Sequence, residues 1–165
     1  MKHLFLLRHA KSDWADEGVP DHDRPLNPRG RRDAPRIGRV ILKQFRTPSC
    51  LISSTAARCR ETLARSGLLE SDQATILYDR RIYHATADQL LKVVHEIADE
   101  FETALLVGHN PGMEQFISHV VDEYVRMPTA TLARLDMPID HWSQLALETP
   151  VDDWQVWRPK ELSEP

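Results

Sequence analysis

Four side chains in this sequence have the chemistry to handle a phosphoryl group. They are Arg8 and His9 in LFLLRHAKS, Arg58 in SSTAARCRET and His109 in VGHNPG. A guanidinium presents a planar fork of donors that meets phosphate oxygens two at a time. A neutral imidazole is a nucleophile, and a protonated one is a further cation. Arg8-His9 and His109 each follow a short apolar run, and Arg58 follows one through Ser-Ser-Thr. The chemistry depends on whether the fold brings these three exits to one place.

The runs read as buried strands. Residues 3–7, 49–52, 74–78 and 103–107 are short and largely apolar, and alternating stretches at 129–135 and 154–157 read as two more strands. Between them lie helical patterns. Pro28 suits a first helical position, and Ala34, Ile37, Val40 and Ile41 carry helical spacing to about residue 45. Ser53, Ser54 and Thr55 are N-cap candidates for a helix to about residue 66, closed by Gly67. Residues 87–100 are amphipathic, with Leu90, Leu91, Val94, Ile97 and Ala98 on one face. Asn110-Pro111 reads as N-cap and first helical position of a helix to about residue 121. Residues 10–27 form a polar loop. Strands alternating with helices predict a compact α/β fold, a three-layer sandwich around a mostly parallel central sheet. The 165 residues suit a single domain.

In an open α/β sheet, ligands bind beyond the carboxyl ends of the strands. Two of the exits also lead into helix N-termini, where free N–H groups and the helix dipole favour an anion. An Arg-His pair after one strand is an ordinary solvated exit, and one histidine is often a satisfied core residue. Three coincident cationic exits point to a phosphate site with a possible nucleophile. The charge distribution agrees. The net charge is −4, against general nucleic-acid affinity, yet residues 1–60 hold 13 Lys and Arg against 6 Asp and Glu. Residues 61–165 hold 8 against 19. No apolar run approaches the ~20 residues of a membrane span, and the N-terminal run is too short for a signal peptide. Two cysteines, Cys50 and Cys59, make no disulfide framework and fit a reducing cytoplasm.

LRHAKS, DHDRPLNPRG, SSTAARCRET and VGHNPG, in that order, resemble the histidine phosphatase superfamily, and within it the SixA-like phosphohistidine phosphatases. The resemblance runs from about residue 4 to 120. It implies a phosphoglycerate-mutase-like fold, His9 as nucleophile, and Arg8, Arg58 and His109 as ligands of the phosphoryl oxygens. Attack by neutral His9 on phosphorus gives a phosphohistidine that water hydrolyses. Fixed positive charge stabilises the transition state, so neither a metal nor another cofactor is expected. Asp21 and Arg24 stand at the family's D-x-x-R positions, to brace the site or meet the substrate, and Asn110 is expected to direct backbone N–H groups at phosphate. Lys11 and Ser12 could also face the pocket. Many relatives place a glutamate acid between the second and third exits. Residues 79–88, DRRIYHATAD, offer only Asp79 and His84 by location.

Other chemistries fit less well. Cys59 to Arg65-Ser66 has the bare C-x5-R-S spelling of a cysteine phosphatase. It falls in an amphipathic helix without the glycines of a phosphate-cradling loop. No H-x-x-x-H, G-x-G-x-x-G or G-x-x-x-x-G-K occurs. The expected function is a metal-independent phosphohydrolase acting on phosphohistidine in a phosphorylated partner protein. A small phosphorylated metabolite as substrate, or a non-catalytic phosphate-binding module, stays open. Two arguments favour phosphohistidine. Only about 35 residues separate Gly67 from the fourth strand, leaving little lid, and a protonated imidazole is a good leaving group even without a dedicated acid.

Overall fold

The computed structural model describes residues 1–163. Six strands and four α-helices alternate along the chain: β1 (Lys2–Arg8), α1 (Pro28–Gln44), β2 (Cys50–Ser53), α2 (Ala57–Arg65), β3 (Thr75–Tyr78), α3 (Ala87–His95), β4 (Thr103–Gly108), α4 (Gly112–Val121), β5 (Leu132–Met137) and β6 (Asp153–Trp157). They form one sheet in the order β3-β2-β4-β1-β5-β6. The β3–β2, β2–β4 and β4–β1 pairings are parallel, and only β5 runs against the rest. The sheet is therefore mostly parallel, as the strand-helix alternation predicts.

Strand periodicity sorts the core onto two faces. Phe5, Leu7, Leu51, Leu105 and Val107 pack with Ile37, Ile41 and Leu63 of α1 and α2. Leu4, Leu6, Ile52 and Leu106 pack with Leu90, Val94, Phe116 and Ile117 of α3 and α4. Helices thus cover both faces of a central sheet. The inner strands are buried along nearly their whole length, whereas β3 is an exposed edge.

Several boundaries differ from the sequence expectation. The N-cap of α2 is Ala56, with no side-chain cap. Ser54 lies further back, its Oγ accepting from the Ala56 amide at 3.2 Å. α4 begins at Gly112, with Pro111 at the cap position, so Asn110 is not its N-cap. α3 stops at His95, because the chain turns at residues 96–101 to offer the Asp99 and Phe101 carbonyls to Lys2 Nζ at 2.6 and 3.1 Å. β5 starts three residues late. Ala130, at φ 59°, and Thr131 instead form a turn bonded to the β1 exit, through Ala130 N–H to His9 O and Arg8 N–H to Thr131 O.

The loop after β1 is pinned from below by α1. Asn27 caps that helix, its Oδ1 accepting from Gly30 N–H at 2.9 Å, and the Lys11 carbonyl accepts from Asn27 N–H. Ser12 is buried in a bridge to Leu26. Gly30 lies so close that a Cβ there would sit 2.2 Å from the Lys11 carbonyl oxygen. Gly30→Ala is expected to destabilise the protein by about 1–3 kcal/mol, as overpacking against backbone does, and urea denaturation measures it.

Candidate active site

The parallel register sets the site. Arg8 pairs with Gly108 across β1 and β4, and Ser53 with Val107 across β2 and β4. The three strands therefore end level, and residues 8–9, 54–58 and 109 leave from one edge of the sheet. His9 and His109 rings lie 5.2 Å apart, and Arg58 Nε is 3.3 Å from His9 Nε2. His9, Arg58 and His109 are each at most 7% exposed. The structure brings together the four residues singled out for phosphoryl chemistry.

Carbonyl oxygens orient these groups. His9 Nδ1–H donates to the carbonyl of Ala10 at 2.7 Å, which leaves the lone pair on Nε2, where the Arg58 Nε–H donates. Arg8 Nη1 donates to the Met127 carbonyl at 3.0 Å, and Arg58 Nη1 to the Asp21 carbonyl at 2.7 Å. His109 Nε2 lies 2.8 Å from Ser54 Oγ and 3.4 Å from Cys59 Sγ. Both neighbours can donate, which favours the tautomer with its proton on Nδ1. That nitrogen and Arg8 Nε are buried without a partner among the described residues.

Burial, with the neighbouring cations, keeps the imidazoles neutral. Desolvation pushes His9 down to about 3, with Arg58 and Arg8 adding to the effect. Desolvation first, then His9 and Arg58, pushes His109 down to about 2. Burial also lowers Arg8, against the opposing pull of Glu114. Asp21 supplies negative charge at the mouth. Its carboxylate accepts from Tyr83 Oη at 2.6 Å and Arg58 Nη2 at 3.2 Å, and these bonds hold it below the usual carboxylate range, Tyr83 contributing most.

Arg24 is buried, stacks 3.7 Å over the Trp14 ring and donates to the Asp13 carbonyl. Its Nε lies 3.6 Å from Asp21 Oδ1, an ion pair beyond hydrogen-bond reach. Arg24 thus braces the loop that carries Asp21. Asn110 turns into the protein, donating to the Met127 carbonyl and Glu114 and accepting from the Glu114 amide. It supports the segment that seats Arg8. The structure also separates the two acid candidates. Asp79 is clamped by Arg81 through Nε, Nη2 and the backbone amide. His84 stands exposed at the mouth, its Nε2 3.5 Å from Asp21 Oδ2 and its ring stacked 6.2 Å from His109, with φ at 55°. Cys59 is fully buried, and desolvation pushes its thiol up to about 12, which disfavours the thiolate a cysteine phosphatase needs.

Sequence reasoning missed Tyr83, Ser54 and Met127. Tyr83 lies in the stretch searched for an acid, where a phenol carries no signal. Met127 acts through its carbonyl, which residue type does not reveal.

The sequence pattern of the histidine phosphatase superfamily (branch 1) matches residues 4–83, a span holding Arg8, His9, Asp21 and Arg58. Over 152 residues the chain is 32% identical to an uncharacterized protein of Mycobacterium tuberculosis, covering 84% of this chain and 91% of that one. A SixA protein from Agrobacterium tumefaciens, named as a candidate phosphohistidine phosphatase, matches at 30% identity and TM-score 0.77, over 93% of this chain and 97% of its own. The chain belongs to the histidine phosphatase superfamily. This histidine phosphatase is SixA-like. A second such SixA protein, from Nakamurella multipartitia, superposes at TM-score 0.80 with 29% identity, over 93% and 95% of the two chains. The fold is the phosphoglycerate-mutase-like α/β sandwich that the resemblance implied. Among the described residues, no helix is long and apolar enough to cross a membrane.

The buried neutral imidazoles set a pH dependence for this histidine phosphatase. His9 titrates at about 3 when folded and at 6.5 when exposed. Between those values the unfolded chain binds the extra proton, so stability falls as pH drops from about 6.5 towards 3. His109 acts in the same direction. Urea denaturation across pH 7 to 4 is expected to show this slope, and His9→Gln to reduce it by about one proton.

Proposed function

We propose that this histidine phosphatase is a metal-independent phosphohydrolase in which His9 Nε2 receives the phosphoryl group, and that its substrate is phosphohistidine on another protein. The single observation that carries this reading is the fixed tautomer of His9. With Nδ1–H held by the Ala10 carbonyl, a neutral Nε2 lone pair faces the Arg58 guanidinium. An incoming phosphoryl group takes over that guanidinium, and Nε2 attacks phosphorus in line. The N–P bond forms as the substrate's P–N bond breaks, and the leaving imidazole departs as the neutral base once protonated. Water then attacks the phosphohistidine, inorganic phosphate leaves and the lone pair returns to Nε2.

The other cluster members support the same step. Arg8 Nε and His109 Nδ1 are buried without partners among the described residues, and phosphoryl oxygens fill that need. A bound dianion raises His109 from its depressed value, adding a cation where charge develops. His84, exposed beside Asp21, is the group at the mouth able to hand a proton to a leaving group. The exposed rim of His84 and Trp14 leaves room for a phosphorylated side chain displayed on a protein surface.

Arg58→Ala is expected to cost about 3–4 kcal/mol of transition-state stabilisation, and Arg58→Lys to recover only part because the fork is lost. kcat/KM on a phosphohistidine protein checks both. Near-normal turnover in Arg58→Ala would remove the second exit from the reaction.

Rapid quenching without acid, using labelled substrate, is expected to trap an acid-labile, alkali-stable phosphoenzyme. His9→Ala should lose label and turnover, and Cys59→Ser should keep the label. A panel of phosphohistidine protein and sugar phosphates, with EDTA present, then reads the substrate. Faster turnover of the sugar phosphates would reassign it to small phosphomonoesters. Phosphate binding without turnover on any member would make the domain a binding module.

A further inference from the structure

The catalytic cluster uses few of the cations in the first third of the chain. α1 carries four others, Arg29, Arg32, Arg36 and Arg39, at spacings of three, four and three residues, which places them on one stripe of the helix. Like charges at these spacings repel. The stripe borders a cavity of about 700 Å³, separate from the His9 cluster. Arg126 from the loop before β5, and Arg158 and Lys160 after β6, line its other walls. Among the described residues, the carboxylates brought to these seven cationic residues are those of Asp33 and Glu161.

Neutral oxygens position several of the guanidinium groups without cancelling their charge. Arg29 Nη2 donates to Thr129 Oγ1 at 3.2 Å, and Arg36 Nη2 to the Pro159 carbonyl at 3.3 Å. Arg158 Nε and Nη2 both donate to the Arg126 carbonyl, at 3.2 and 2.9 Å. The buried Asp33 meets Arg36 at 3.1 Å and Arg32 at 3.4 Å, and Glu161 meets Arg158 at 3.4 Å. Arg39, Arg126 and Lys160 have no side-chain partner among the described residues. Among the described residues the cluster is walled, oriented and under-neutralised, an arrangement that attracts negative charge.

We infer that this cavity is a second anion site, and that it takes a small organic ligand carrying two or more phosphate groups. Six of the seven cations are arginines, the residue whose fork matches phosphate oxygens. They line it from three chain segments and offer more forks than the oxygens of one phosphate can engage. The volume falls in the range of roughly 300–1,000 Å³ typical of small-molecule sites, and the chain's net charge of −4 runs against a nucleic-acid surface. The site adjoins the reaction centre through one dipeptide. The Arg126 carbonyl accepts from Arg158 in the cavity wall, and the Met127 carbonyl accepts from Arg8.

Inorganic tripolyphosphate is the probe, titrated calorimetrically into the intact protein with vanadate present throughout to occupy the catalytic cluster. One equivalent is expected to bind. The double variant Arg32→Ser/Arg39→Ser should weaken it at least about tenfold, as loss of two forks implies. Arg126→Ser/Lys160→Ser, altering the opposite walls, should do the same and serves if the first variant fails to fold. No binding in the presence of vanadate, or unchanged affinity in both double variants, would overturn the site. Orthophosphate binding as tightly as tripolyphosphate would overturn the polyphosphate assignment. So would tighter binding of a single-stranded oligonucleotide, or of an acidic partner protein that competes with tripolyphosphate. None of these results depends on His9 being the nucleophile.

Discussion

Two guanidinium groups and two imidazoles are packed against one another at the carboxyl ends of β1, β2 and β4, with little negative charge to offset them. Asp21 pairs with Arg58 at the mouth, and Glu114 acts on Arg8 from further off. The cluster persists because most of its orienting partners are carbonyl dipoles. Ala10 holds His9, Met127 holds Arg8 and Asp21 holds Arg58 by its backbone oxygen. A carbonyl fixes the direction of a donor without cancelling a full charge, so the attraction for an anion survives folding.

That arrangement has a stability cost and a functional consequence. Each buried donor left without a partner costs about 1–3 kcal/mol, and among the described residues Arg8 Nε and His109 Nδ1 have none. Such a cost matters against a typical total stability of about 5–15 kcal/mol. The rest of the fold offsets it through the two apolar layers on either face of the sheet. Burial also keeps both histidines neutral, which suits the nucleophilic role proposed for His9. In the arginine-lined cavity beside α1, neutral oxygens likewise position Arg29 and Arg36, the latter together with the Asp33 carboxylate.

Much of the architecture was legible because inner parallel strands are buried on both faces and read as continuous apolar runs. The α1 start was legible from Asn27-Pro28, where a capping side chain and a fixed φ act locally. Other ends were not, because distant partners decide them. α3 stops short where Lys2 takes the carbonyls beyond it, and the start of β5 yields to the turn that bonds His9 and Arg8. Asn110 looked like a cap, and its Oδ1 does accept from the Glu114 amide in the first turn of α4, yet its Nδ2 reaches the Met127 carbonyl on a distant segment.

The sequence by itself determined which residue types stand at each strand exit and that the exits belong to a layered α/β chain, since both follow from local order and periodicity. From those it pointed to Arg8, His9, Arg58 and His109 together. Only the tertiary structure decided which nitrogen of His9 carries the lone pair, that His84 and not Asp79 reaches the mouth, and that Tyr83 and Cys59 touch the cluster. These depend on carbonyls and side chains far apart in the sequence meeting at about 3 Å, and no local pattern encodes such a meeting.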